Sequence, residues 1–96
     1  MGERYTITGW AWGTFTTDQG VQQPYANLFV TSPVQDNPAA GYHAVGYKAE
    51  KLRCVSPEVW EKAGLIVGDD AILIFDRRGR VSYAEHIEPQ EEDQSN

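Results

Sequence analysis

The sequence contains one cysteine, one methionine and two histidines among its 96 residues. A lone thiol, Cys54, has no partner for an intramolecular disulfide and suits a reducing compartment. Placed near Leu52 and Val55, it reads as a small core residue rather than a reactive one. His43 and His86 fall on separate predicted strands and lack the spacing of a metal site. Asp69-Asp70 reads as a turn before a strand rather than as a metal-binding pair. No P-loop or dinucleotide fingerprint occurs. These absences leave no cofactor, metal or catalytic constellation to expect, and the chain is expected not to be an enzyme. Long apolar runs are also missing, since none approaches the roughly 18 residues of a membrane-spanning helix. Met1-Gly2-Glu3-Arg4 passes straight into alternating sequence, so no signal peptide and a cytoplasmic location are expected.

Positive charge is scarce. Eight Lys and Arg face fourteen Asp and Glu, for a net charge of −6, which by itself disfavours a polyanionic partner. The distribution alters that conclusion. Glu88, Glu91, Glu92 and Asp93 lie in the last nine residues, which hold no Lys or Arg. The rest of the chain therefore carries ten acidic and eight basic residues, a net charge of −2. Residues 88–96 have nothing to bury and are expected to form a disordered acidic tail, able to recruit a protein partner or to compete with nucleic acid for a basic groove. Residues 1–87 then make one domain, with 41% hydrophobic residues in the whole chain, enough for an ordered core.

What the chain has in plenty is alternation. Tyr5 to Thr17 reads as a strand, with Tyr5, Ile7, Gly9, Ala11, Gly13 and Phe15 on one face and Thr6, Thr8, Trp10, Trp12, Thr14 and Thr16 on the other. Gly9 and Gly13 on one face suggest a strand that bends or bulges. After the turn Asp18-Gln19-Gly20, a second strand runs from Tyr25 to Val34, with Ala26, Leu28 and Val30 opposite Tyr25, Asn27, Phe29 and Thr31. A third is predicted from Tyr42 to Arg53, presenting Val45, Tyr47 and Ala49, with a bulge near Glu50 to bring Leu52 and Cys54 onto the same side. Ser56-Pro57-Glu58 starts a two-turn helix that Gly64 ends. Ala71–Phe75 is a continuous apolar run, expected of a strand covered on both faces. Asp76-Arg77-Arg78-Gly79 turns the chain into a last strand, Val81–Ile87.

Three strands, a helix and two strands is the element order of an OB-fold, an all-β, five-stranded barrel with one short helix between strands 3 and 4 that commonly binds oligonucleotides or oligosaccharides. An SH3-like barrel is the alternative. On such a barrel Trp10, Trp12, Tyr25 and Phe29, opposite the apolar faces, become an outward platform on which bases stack. Phosphates require cations, supplied by Lys48, Lys51, Arg53, Arg77, Arg78 and Arg80, with Arg4 and Lys62 as the remaining basic residues. The expected function is sequence-tolerant binding of single-stranded DNA. The alternative is a protein-interaction or oligosaccharide-binding module using the same rings.

The segment from Phe15 to Tyr25 carries Phe-Thr-Thr, then Gly-Val, then Pro-Tyr. In that order these resemble the region between the first strands of the filamentous-phage single-stranded DNA-binding (helix-destabilising) proteins. The resemblance covers about eleven residues and implies a small OB-fold dimer that coats single-stranded DNA during replication, with Tyr25 facing DNA. A phage, plasmid or mobile-element origin and a homodimer follow from it as expectations. The chain departs from the family in having Asp18, Gln19, Gln22 and Gln23 where the family places basic residues, and in its helix and acidic tail.

Overall fold

The computed structural model describes residues 3–88. Of the acidic segment only Glu88 is described, so the expectation of disorder there falls outside the described residues. The described chain is mostly β, with β1 (Glu3–Thr16), β2 (Gln22–Pro33), β3 (Tyr47–Arg53), α1 (Glu58–Ala63), β4 (Asp70–Phe75) and β5 (Val81–Ile87). The element order is the predicted one. All five strands join one antiparallel sheet in the order β3-β2-β1-β4-β5.

β1 is the hub. Its first residues, Glu3–Thr6, pair with β4, while Thr6–Thr16 pair with β2, so the far end of the β1–β2 ribbon extends past β4. The register slips between Ile7 and Gly9. This bulge decides the facing of everything after it, because a one-residue slip exchanges the two faces of a strand. Tyr5 and Ile7 are buried before it; after it Trp10 and Trp12 stand opposite the buried Leu28 and Ala26. The inner face also carries Val30, Ala71, Leu73, Val81 and Ala84. Complete burial of Ile7, Leu28 or Leu73 contributes about 1.5–3 kcal/mol each.

Two sequence expectations need correction here. β3 begins at Tyr47, not Tyr42, and has no bulge: Leu52 pairs with Leu28 and faces inward, while Tyr47 and Ala49 face outward and Val45 lies in the preceding loop, almost wholly exposed. β4 is covered on one face only, since Ala71 and Leu73 are buried but Ile74 is exposed.

The helix lies over the inner face of the ribbon and against β5, burying Val59 and Trp60. Ser56 Oγ accepts from the Glu58 N–H at 3.2 Å, the capping role expected of it. Gly64 ends the helix at φ 68°, donating back to the Trp60 and Glu61 carbonyls. Just past the end of β3 the chain reaches β5: Cys54 and Val81 form an isolated parallel bridge, and the Val55 N–H donates to the Val81 carbonyl at 3.0 Å. Cys54 is buried there, and burial pushes its thiol up to about 12. A thiol held protonated is unreactive, as expected of a core residue.

Candidate nucleic-acid interface

On the outer face of the ribbon, β1 presents Gly9, Ala11, Gly13 and Phe15 after its bulge. β2 presents Phe29, Asn27, Tyr25 and Gln23 directly opposite them. Both large β2 rings therefore cross onto a glycine. A Cβ at position 13 would lie 3.0–3.2 Å from three atoms of the Tyr25 ring, and one at position 9 would lie 3.7 Å from Phe29. The missing side chain at Gly13 leaves room for the Tyr25 ring, whereas at Gly9 only the edge of the Phe29 ring, its Cδ2, comes within 4 Å. Tyr25 and Phe29 remain 39% and 37% exposed. Four residues apart on a strand, they are separated by about 13 Å. Phe15, 52% exposed, touches Tyr25 with ring centroids 6.4 Å apart.

β3 adds charge beside the rings. Lys51 pairs with Phe29 and Arg53 with Asn27, so both cations stand on the outer face next to the aromatic row. Neither forms an ion pair among the described residues, unlike Arg4 with Asp70, Lys48 with Glu50, Lys62 with Glu58 and Arg80 with Asp76. Lys48 pairs with Ser32 on the inner-face parity and is not brought together with Lys51 and Arg53. Arg77 and Arg78 sit exposed at the β4–β5 turn, also without ion pairs among the described residues. Arg80 returns from that turn to line the same cavity as Arg53, Tyr25 and Phe15.

Asp76 builds the turn. Its Oδ1 accepts the Arg78 and Arg80 N–H groups at 2.9 Å, and its Oδ2 takes the Arg80 guanidinium at 2.9–3.0 Å. The Arg80 backbone N–H above all, with the Arg78 N–H and the guanidinium, holds its carboxyl below the ordinary carboxylate value. Asp70 is lowered likewise by the Thr6 hydroxyl and Arg4. Asp69 accepts the Ile66 N–H at 2.8 Å and faces His86 at 3.4 Å. The two neighbouring aspartates thus serve different partners, and no metal-binding cluster is found among the described residues.

Trp10 and Trp12 do not belong to this face. The bulge turns both to the inner side, where Trp10 stacks on Trp60 (centroids 5.5 Å, planes 18° apart) and Trp12 tilts against it at 6.1 Å. Trp10 is part of the core periphery; Trp12 is 57% exposed at the end of the same cluster. A hydrophobic stack was available to them that the strand pattern did not reveal, because both tryptophans share the parity of Thr6, Thr8, Thr14 and Thr16, which reads as a polar face. Conversely, Phe15, Gly9 and Gly13 were not among the predicted site residues. Their signal was present in the sequence as two glycines and a phenylalanine of one parity, facing a strand with two aromatic residues four apart. Set against family models, curated proteins and solved structures, the chain matches none of them.

Proposed function

We propose that this protein is a single-stranded nucleic-acid-binding module that uses the outer face of β1, β2 and β3. The observation that carries the reading is the pair of half-exposed rings, Tyr25 against Gly13 and Phe29 opposite Gly9, beside Lys51 and Arg53, two cations with no carboxylate partner among the described residues. Flat, half-open rings take bases without regard to sequence, because every base has a π-face, and each such stack contributes about 1–3 kcal/mol. The free cations meet the phosphates. A duplex keeps its bases stacked on one another, so a sheet-mounted row of rings selects unpaired strands.

The fold within this proposal is a partly open five-stranded barrel of the OB type. Its support is the strand order together with the parallel approach of Cys54 to Val81, which brings the ends of the sheet toward each other. The test is a titration of fluorescently labelled oligo(dT) with the full chain at two salt concentrations, read by anisotropy. Binding that weakens with salt and is lost in Tyr25→Leu and Phe29→Leu together supports the proposal. Oligo(dT) binding that ignores salt and Lys51 or Arg53 substitution would mean that these cations do not hold the phosphates and overturns this assignment of the face. No binding at low salt, with or without residues 89–96, overturns it.

A further inference from the structure

The end of the aromatic row is more than a surface. Where the β1–β2 ribbon, the end of β3 and the β4–β5 turn meet, a cavity of about 340 Å³ opens between Phe15, Tyr25, Arg53 and Arg80, with Gln23 on its wall and the buried Cys54 among its lining residues. Its volume is that of a small-ligand site. Its electrostatics set it apart: in a chain of net charge −6, no carboxylate lines it, whereas each of four other cavities in the described residues is lined by at least one Asp or Glu. We propose that this cavity is a subsite for one nucleotide, with the base on Tyr25 and Phe15 and the phosphate on Arg53 and Arg80. The inference rests on the single-strand reading above and names the place where a strand, or a free nucleoside phosphate, is pinned.

The two arginines have different parts. Arg80 is already gripped by Asp76, so it brings oriented N–H donors more than net charge. Arg53, without an ion pair among the described residues, brings the uncompensated charge that an entering phosphate neutralises. Aromatic walls beside guanidinium groups fit a ligand that is both planar and anionic. An acidic peptide offers the charge without the plane, and a neutral sugar offers neither.

The experiment is an NMR titration of the isotopically labelled full chain with thymidine monophosphate, thymidine and oligo(dT). Thymidine monophosphate is expected to shift the amides of Tyr25, Arg53 and Arg80, and thymidine to bind about tenfold more weakly for want of the charge-assisted bonds. Arg53→Gln is expected to abolish the difference, and Lys62→Gln, which does not line the cavity, to leave it unchanged. Equal binding of nucleotide and nucleoside, or an Arg53→Gln chain that still distinguishes them, overturns the subsite. Tyr25→Leu, which keeps both arginines, is a second check: an unchanged response in it also overturns the proposal. If oligo(dT) binds but shifts only Phe29 and Lys51, the subsite falls and the single-strand reading stands. If the mononucleotide behaves as expected but oligo(dT) binds no more tightly, the subsite stands and the polymer reading falls.

Discussion

At the scale of single residues, the two glycines beneath the rings are not equivalent. A methyl group at position 9 meets Phe29 at an ordinary van der Waals distance, whereas one at position 13 forces the Tyr25 ring to move by a few tenths of an ångström. Tyr25 is 39% exposed, so its ring has room to give. Gly13→Ala is therefore expected to keep the fold, with stability within about 1 kcal/mol of wild type, since alanine relieves the entropic cost of glycine in a strand. Oligo(dT) affinity is expected to fall, by less than the 1–3 kcal/mol or so expected for Tyr25→Leu. Gly9→Ala is expected to leave affinity unchanged. A double-mutant cycle supplies the mechanism: Gly13→Ala in a Tyr25→Leu background has no further effect if position 13 acts only through the ring. Additive losses would mean that position 13 touches the strand directly or disturbs the sheet.

At the scale of elements, the β4–β5 turn is organised by one carboxylate. Asp76 has its folded-state value lowered, so its contribution to stability is fully present above the unfolded carboxylate value of about 3.9 and disappears as pH falls through the lower folded one. Asp76→Asn is expected to lower the urea midpoint at neutral pH and to converge with wild type in acid; parallel curves at every pH would refute the role. The tryptophans give an element-scale prediction for binding. All three tryptophans of the chain, Trp10, Trp12 and Trp60, cluster on the inner side of the ribbon. A strand lying on the outer face leaves their emission largely unquenched, whereas quenching that Trp12→Phe removes would place the strand on the inner face instead. Much of this architecture was legible in the sequence, for local reasons. Ser56-Pro57-Glu58 and Gly64 bracket a helix, and Asp76–Gly79 announces a turn, because capping and turn chemistry are written within a few residues. Facing was less legible. Threonines on both sides of the Ile7/Gly9 slip hide the bulge, and that one residue exchanges the roles of Trp10 and Gly9. In β3 the outward Tyr47 reads as sharing a side with Leu52, because an aromatic ring in a strand fits either face until the partner strand is known.

At the scale of the whole molecule, a net charge of −6 and affinity for a polyanion are compatible only if the cations are sorted. Four of the eight are neutralised at home: Arg4, Lys48, Lys62 and Arg80 each hold a carboxylate. The other four, Lys51, Arg53, Arg77 and Arg78, are without ion pairs among the described residues and fall at two places, the outer face of β3 and the β4–β5 turn. Each phosphate contact to a single strand adds about −0.7 to the slope of log K against log salt concentration. If the strand lies on the outer face, Lys51→Gln with Arg53→Gln makes the slope shallower by about 1.4. Arg77→Gln with Arg78→Gln does the same only if the strand continues past the cavity to the turn, so this pair measures how far the footprint extends. Lys62→Gln, which removes a charge already paired with Glu58, leaves the slope unchanged while altering the net charge by one, half the change of either pair. That control separates the sorted cations from the overall field: a slope that follows net charge alone, indifferent to which lysine or arginine is lost, would mean that the strand is attracted to the molecule as a whole and not held by this face.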